Sequence, residues 1–509
     1  MATSNPQTPP AETGIPGLDD VLRGGFTRSR LFLVEGVPGS GKTTLALQFL
    51  RAGAARGETV LYITLAETEA ELREVAGSHG WDLEGLAVTE LTPTEEDLDP
   101  SRRNTMFHPS EVELADTTRR LLDDVERVKP SRVVVDSLSE LRLLAGNPLR
   151  YRRQILALKQ YFAKRDCTVL LLDDMTASDH DLQMRSIAHG VVLLDQAQPE
   201  YGSQRRRLTV VKYRGVHFRG GFHDYAIETG GLRVYPRLVA AEHRQIGRRV
   251  CLSSNIPSLD ALLGGGIDEG TSTLVIGAPG TGKSTIAAQF AAAAASRGQR
   301  AAMFLFDESP QTMASRCEAL GIDLKAGLAA GLKAGLAAGL NAGSREGTVT
   351  IQPIDPAEFT PGALIAHIRR EVEQGARMIV IDSLNGYLNA MPQERFLTIQ
   401  LHELLMYLGQ QGVATVLTAA HQGLIGTDMS TPVDASYLAD AVILLRYFEL
   451  RGEVRQAVSV VKKRGGAHER TIREFHLGAG GITVGGPLRD FRGVLTGVPI
   501  FEPAAVAES

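Results

Sequence analysis

Cysteine is scarce in this chain: Cys167, Cys251 and Cys317 are the only three among 509 residues. No two of them stand at a C-x-x-C or other metal-ligand spacing, which argues against a zinc ribbon or a disulfide framework. They read as free, buried thiols in a reducing compartment. Aromatic residues make up 6% with a single tryptophan, so there is little material for stacking on nucleic-acid bases. No run approaches the ~20 consecutive apolar residues of a membrane helix. Residues 1–13, MATSNPQTPPAET, lack the basic and apolar regions of a secretory signal and read as a disordered leader. The expected location is the cytoplasm, with no membrane association. An excess of positive charge is missing as well. The formal net charge is −5, which speaks against a general nucleic-acid binder without excluding a local basic channel.

What is present is an ordinary globular composition, 43% hydrophobic and 22% charged, in a chain long enough for two or three domains with cores of their own. It also contains a duplication. Ile15-Pro-Gly-Leu-Asp19 returns as Ile256-Pro-Ser-Leu-Asp260, and Gly36-VPGSGKTT returns as Gly277-APGTGKST, both displaced by 241 residues. RVVVDSL at 132–138 matches MIVIDSL at 378–384, and VVKYRG at 210–215 matches VVKKRG at 460–465. Four matches in one order, with a slowly growing displacement, mean a duplicated domain rather than a solenoid. The expected limits are 14–246 and 247–500, with the boundary near Arg244–Arg249 and a short tail at 501–509.

Each half alternates strand and helix. LFLVEG (31–36), TVLYITL (59–65), RVVVDSL and TVLLLD (168–173) are continuous apolar runs, and TTLALQFLRAGAARG has helical periodicity ending at Gly57. Such runs separated by helices predict an α/β fold whose mainly parallel sheet is covered on both faces. RRLTVVKYRG and QAVSVVKKRG read as closing antiparallel hairpin strands. One segment stands apart: KAGLAAGLKAGLAAGLNAG (325–343) repeats an eight-residue unit. Its glycines cost about 1 kcal/mol each in a helix, and it reads as a surface helix or loop without chemistry.

The signature G-x-x-x-x-G-K-[ST] occurs in both copies after an apolar strand and before a helix. Gly36, Gly39, Ser40, Gly41, Lys42, Thr43 and Thr44 form the first loop. Gly277, Gly280, Thr281, Gly282, Lys283, Ser284 and Thr285 form the second. Glycines let backbone N–H groups wrap phosphates at a helix N-terminus, the lysine reaches the β/γ-phosphates, and the Thr43 or Ser284 hydroxyl ligates Mg²⁺. Asp136 and Asp382 close the matched DSL strands, where a carboxylate holds Mg²⁺ or its water. ATP and Mg²⁺ are the expected cofactors. Glu67 and Glu308 follow the strand after each P-loop helix and are candidate bases for the attacking water; Asp307 precedes Glu308, whereas Ala66 precedes Glu67.

These tandem RecA-like halves, with their I-P-x-L-D openings, P-loops, D-S-L strand ends and K-x-R-G turns, resemble the KaiC family of clock ATPases and autokinases. The resemblance runs over roughly residues 14–500 and is most specific at 439–478. It implies a homo-hexameric ring with ATP between subunits, in which one copy offers its P-loop and the next supplies the lysine and arginine of the K-x-R-G turn. Those residues are Lys212 with Arg214, and Lys462 or Lys463 with Arg464. It further implies that the second domain transfers phosphate to a residue pair here occupied by Ser436 and Tyr437, with Thr431 upstream. The serine of the family's Ser-Thr pair is present, and the threonine position holds a tyrosine. Asp307 and Glu308 stand where the family keeps its phosphotransfer base. A KaiB-like protein partner is implied, whereas the short tail implies independence from a KaiA-type activator.

Two readings from other classes compete. A RecA/RadA- or DnaB-like DNA-dependent ATPase would need basic loops, for which Arg102-Arg103, Arg150 to Arg153 and Arg205 to Arg207 are the candidates; nucleic acid is nonetheless not the expected partner. An ATP-binding scaffold with little turnover would use nucleotide only to assemble, and the reduced acidic set around Glu67 favours it.

Overall fold

The computed structural model describes residues 9–91, 109–175, 182–243, 250–324, 326–328, 347–389, 396–420, 437–494 and 500–501. The chain divides into two compact units, Met1–Arg237 and Leu238–Ser509. Leu238 and Ala240 are buried in the second unit's core beside Leu401 and Leu408.

In the first unit the strands are β1 (Leu31–Gly36), β2 (Val60–Thr64), β3 (Leu86–Glu90), β4 (Arg132–Asp136), β5 (Thr168–Asp173), β6 (Gly190–Ala197), β7 (Arg205–Tyr213), β8 (Phe222–Glu228) and β9 (Gly231–Tyr235). They form one sheet in the order β3-β2-β4-β5-β1-β6-β7-β8-β9. The pairings out to β6 are parallel, and β7, β8 and β9 close the sheet antiparallel. Side chains alternate across a sheet covered on both faces. Phe32 and Val34 of β1 join a core with Leu45, Phe49 and Leu50 of the helix Lys42–Ala54. Leu31 and Leu33 join another core with Leu138, Ile155 and Phe162 on the opposite face.

The second unit opens with a short antiparallel pair, β10 (Cys251–Leu252) and β11 (Ile267–Asp268). Its main strands are β12 (Ser272–Gly277), β13 (Arg300–Leu305), β14 (Ala326–Leu328), β15 (Val349–Pro353), β16 (Ala376–Asp382), β17 (Ala414–Ala420), β18 (Ala441–Leu450), β19 (Glu453–Lys463), β20 (Arg473–Gly478) and β21 (Gly481–Pro487). Their order is β14-β15-β13-β16-β17-β12-β18-β19-β20-β21. The two tandem domains are thus RecA-like α/β units, each a mainly parallel sheet covered by helices with an antiparallel closing segment. Among the described residues no helix is long and apolar enough to cross a membrane.

Three details correct the sequence reading. Residues 11–13, read as part of a disordered leader, are built into the first unit: Ala11 bridges to Phe26, and Ala11 and Thr13 are buried. The start of the Gly/Ala/Leu repeat, Ala326–Leu328, is neither helix nor loop: it pairs parallel with β15 as an extra edge strand, the low helix propensity of its glycine counting against a helix there. The remainder of 325–343 lies outside the described residues, as does Arg244–Arg249. Of the three thiols, Cys167 and Cys317 are buried, but Cys251 is exposed, because β10 belongs to the small two-stranded sheet rather than to a covered one.

Candidate nucleotide sites

Each P-loop leaves the C-terminal end of a central strand and enters a helix. Gly41 and Gly282 precede these helices with φ of 92° and 95°, a left-handed conformation that only glycine adopts without strain. Gly36 and Gly277 are needed for a different reason. A Cβ at Gly36 would lie 2.7 Å from the Leu194 carbonyl oxygen, and one at Gly277 would lie 2.6 Å from that of Leu445. The loops are therefore drawn tightly against β6 and β18.

Inside each loop the lysine is buried. Lys42 Nζ donates to the carbonyls of Gly36 (2.8 Å) and Val37 (3.1 Å), and Lys283 Nζ donates to that of Ala278 (2.8 Å). Burial pushes both amines below the ordinary lysine range. Asp136, Asp174, Asp173 and Glu67 pull against this at Lys42, and Asp382 and Asp307 pull against it at Lys283. A partly desolvated ammonium of this kind gains most from a multiply charged anion brought beside it. Ser40 is fully buried with an Oγ that has no partner among the described residues, whereas Thr281 Oγ1 donates to Ala278 O at 2.8 Å. Thr44 and Thr285 are buried one position further along the helices.

The strand-end aspartates occupy matched positions with different clasps. Thr43 Oγ1 lies 3.4 Å from Asp136 Oδ2, which also accepts from the Tyr62 hydroxyl at 2.5 Å. Burial raises the Asp136 carboxyl, with Tyr62 and Lys42 opposing. Asp382 instead accepts from the Thr418 hydroxyl. Tyr62 reaches its aspartate from β2 on one side of the DSL strand, and Thr418 reaches its own from β17 on the other. Hydroxyl and carboxylate oxygens at a phosphate loop are the hard donors that Mg²⁺ takes, so the residues fit that ion. A cis peptide follows each aspartate, at Asp136-Ser137 and Asp382-Ser383.

The candidate bases differ more. Glu67 sits three residues past the end of β2, with its backbone N–H and C=O tied to Thr64 Oγ1 at 3.0 and 2.7 Å. Its Oε2 is buried without a hydrogen-bond partner among the described residues. Burial and the nearby Asp136 and Glu71 charges raise its pKa, while Lys42 lowers it. Glu308 accepts from both terminal nitrogens of Arg316, at 2.7 and 2.9 Å. Burial raises its pKa, and the Arg316 pairing works against that rise. Asp307 is exposed and accepts from Ser383 Oγ at 2.5 Å.

The turn cations lie elsewhere. Lys212 pairs across from Val191 at the N-terminal end of β6, where Gly190 aligns with Phe32, whereas the P-loop begins at Gly36. Lys212 is thus level with Leu33, roughly 10 Å along the strands from the start of the phosphate loop. Lys212 Nζ donates to the carbonyls of Arg185 and Ala188 (2.6 and 2.8 Å), and Arg214 Nη2 to that of Ser186 (2.7 Å). Lys462 is the counterpart of Lys212: it faces Val442 and donates to Ala439 O at 2.7 Å. Lys463 is not. It is buried against Leu263 O and Gly266 O at 2.6 and 3.1 Å, much as Tyr213 donates to Gly25 O at 2.9 Å in the first copy. Arg464 Nη2 donates to Tyr437 O at 3.0 Å. Tyr437 itself is exposed; Ser436 and Thr431 lie outside the described residues, as does Arg102-Arg103. Arg206 and Arg207, weighed as nucleic-acid contacts, are engaged with Gln204 and Asp224.

Within one chain, then, each copy unites P-loop, aspartate and glutamate, and leaves its K-x-R-G cations at the far end of the sheet. The sequence reading missed Tyr62, Thr418, Ser383 and Arg316. Only Arg316 had a usable signal, since aligning the copies sets it opposite Val75.

Comparison with known proteins agrees with this arrangement. A profile of the KaiC ATPase family matches residues 11–239 and again 252–489. The circadian clock protein KaiC3 of Synechocystis sp. is 27% identical over 502 residues, spanning 98% of this chain and 96% of that protein. The circadian clock oscillator protein KaiC of Parathermosynechococcus lividus is 26% identical over 504 residues, spanning 96% of this chain and 88% of that protein. The chain belongs to the KaiC ATPase family.

Proposed function

We propose that this KaiC-family ATPase works as a homo-hexameric ring that hydrolyses ATP in both domains and phosphorylates Ser436 in the second. One observation carries the reading: Lys212 with Arg214, and Lys462 with Arg464, stand at the end of their sheet opposite the P-loop. Cations there reach a phosphate only on a neighbouring copy, so the nucleotide site is completed in trans, as an arginine finger completes it.

In this reading Lys42 and Lys283 hold the β/γ-phosphates against the loop N–H groups. Thr43 with Asp136, and Ser284 with Asp382, would hold Mg²⁺, which draws negative charge off the phosphoryl oxygens when bound. In the first domain Glu67, with its unpartnered buried oxygen, takes the proton of the attacking water. The water oxygen bonds to the γ-phosphorus as its bond to the ADP oxygen breaks, and ADP and phosphate leave. In the second domain Asp307 and Glu308 serve the same purpose for the Ser436 hydroxyl, whose oxygen replaces ADP on the phosphorus. Tyr437 carries its hydroxyl several ångströms farther from the backbone than threonine would, and is the weaker acceptor.

The relatives named circadian clock proteins support a role in clock-like timing or signalling through a KaiB-like partner in the cytoplasm. A KaiA-type activator is not part of this proposal.

Mixing tests the reading. Lys42→Ala/Lys283→Ala copies and Arg214→Ala/Arg464→Ala copies are each expected to release little phosphate alone. Together they should regain turnover, since some interfaces join an intact loop to an intact basic pair. A mixture as silent as its components would sink the trans arrangement. Incubation with γ-labelled ATP and Mg²⁺ should label Ser436, and the label should vanish in Ser436→Ala and in Lys283→Ala. Phosphate release with no label would leave a double-ring ATPase without kinase activity.

A further inference from the structure

The two domains hold their candidate glutamates in opposite ways, and one substitution accounts for it. The N-caps Thr68 and Ser309 place the following helices, Glu69–Ser78 and Pro310–Ala319, in the same register. Seven residues past each N-cap stand Val75 and Arg316. Val75 packs against the apolar core of its domain and leaves Glu67 Oε2 buried without a partner among the described residues. Arg316 turns its guanidinium onto Glu308 and takes both carboxylate oxygens at 2.7 and 2.9 Å. It also contacts Met313 Sδ at 3.1 Å. The pair is only partly exposed, with 36% of the Arg316 side chain and 18% of the Glu308 side chain accessible.

A carboxylate gripped by a guanidinium at both oxygens is a poor base. Accepting a proton discards the charge pairing, and turning towards a water breaks two charge-assisted hydrogen bonds. Asp307, its neighbour, carries no such clamp: it is exposed and bonded to the Ser383 hydroxyl. Among the described residues, the charged groups that weigh most on Glu308 are Arg316, Asp382 and Asp307, and of these three Arg316 is the cation.

We propose that Arg316 is a positioning residue that pins Glu308 out of water activation, lowering hydrolysis in the second domain and leaving its chemistry to Asp307. The proposal rests on the reading of Asp307 and Glu308 as the second site's acidic pair. Val75 is the corresponding release in the first domain, where Glu67 is free to act. Two nucleotide sites built from one duplicated domain are in this way set to different rates by one residue of the helix beside them.

The test uses the full chain in a Glu67→Gln background, which keeps both phosphate loops intact and silences first-domain turnover, so phosphate release reads the second site. Arg316→Val should raise that release about threefold to tenfold, the effect of freeing one partly buried carboxylate. The acid limb of its pH–rate profile should move to higher pH, because the cation that lowers the Glu308 pKa is gone. Adding Glu308→Gln should abolish the gain, and Arg316→Lys should fall between parent and Arg316→Val. An unchanged or slower rate in Arg316→Val with an unaltered melting temperature overturns the proposal. So does a gain that survives Glu308→Gln.

Should Arg316→Val fold poorly, the reciprocal graft decides. Val75→Arg in an Asp307→Asn/Glu308→Gln background should slow first-domain release by a similar factor, and an unaffected rate counts against the clamp. That background without the graft separates the two ideas. Its own Mg²⁺-dependent phosphate release supports the ATPase reading whatever Arg316 does, and silence there with a folded chain counts against the ATPase reading alone.

Discussion

Glu67, the proposed base of the first domain, shows what such a placement costs. Its carboxyl is raised above the ordinary 4.5, by burial first and then by Asp136 and Glu71. A carboxyl raised on folding favours the protonated form in the native state. Its contribution is thus favourable below the unfolded pKa and is lost as pH rises through the folded one. At neutral pH the charged group is a liability, and Glu67→Gln should raise the melting temperature of the nucleotide-free protein by about 2 °C. Scanning calorimetry should show this gain shrinking as pH falls below the ordinary glutamate range. The same variant should lose on the order of 100-fold in first-domain phosphate release. A variant that melts no higher at pH 7 and turns over normally would mean Glu67 is a surface helix-start residue. Tyr62 is a related case from the adjacent position on Asp136. Tyr62→Phe removes a hydrogen bond to a buried carboxylate and should cost about 1–3 kcal/mol in a denaturant melt.

The phosphate loops themselves were legible because their chemistry leaves little choice of residue at Lys42, Thr43, Lys283 and Ser284. Tyr62 and Thr418 were not, because each sits in an apolar strand and reaches its aspartate only through the sheet order. The match of VVKYRG to VVKKRG set Lys462, not Lys463, opposite Lys212, but strand alternation alone could not. Both closing hairpins break register, between Val191 and Val192 and between Val442 and Ile443. Alternation counted along β19 therefore fails at the residues in question.

At the scale of elements, the parallel strands could be read directly because both faces are covered, which makes RVVVD and TVLLLD continuous apolar runs. What pins them was less visible. Arg132 opens β4 fully buried, donating to Glu58 at 2.6 and 3.1 Å and to the carbonyls of Glu12 and Phe49 at 2.7 and 2.8 Å. Its guanidinium also stacks 4.7 Å from the Phe49 ring. Burial would raise the Glu58 carboxyl, but hydrogen bonds from Arg132 and Arg28 overcome it and hold the pKa at about 2. Because this pKa is depressed on folding, the stabilisation is present above the ordinary value of 4.5 and is lost as pH falls towards 2. Urea melts at successive pH values should show the loss in the parent and a much flatter dependence in Glu58→Gln. Arg132→Ala, which removes the fully buried guanidinium and leaves the half-buried Glu58 with Arg28 alone, should cost about 2–3 kcal/mol at neutral pH. A smaller loss would mean water replaces the guanidinium.

For the whole molecule, duplication gives each unit its own core and its own phosphate loop, so nucleotide should protect each locally. Ligand binding only to the native state stabilises by mass action, by about 2.7 kcal/mol at a hundredfold excess over Kd. Hydrogen exchange with Mg²⁺ and ATP should show slowed exchange around both loops. Lys42→Ala should lose it in the first unit, and Lys283→Ala in the second. Chelating Mg²⁺ should reduce protection at both, and protection at one loop only would show that the copies do not both bind.

The placement of the basic pair at the end of the sheet opposite the loop also sets how damage spreads. In the trans arrangement proposed above, every copy is a giver on one side and a taker on the other, which makes each nucleotide pocket the joint property of two neighbours. When chains defective in both loop and basic pair are mixed with sound ones, a pocket survives only where two sound copies happen to adjoin. Random mixing then makes turnover fall as the square of the sound fraction, rather than in proportion to it. A minority of poisoned chains would silence much of the ring, which makes the dose–response curve of such a mixture a count of how many copies build each pocket.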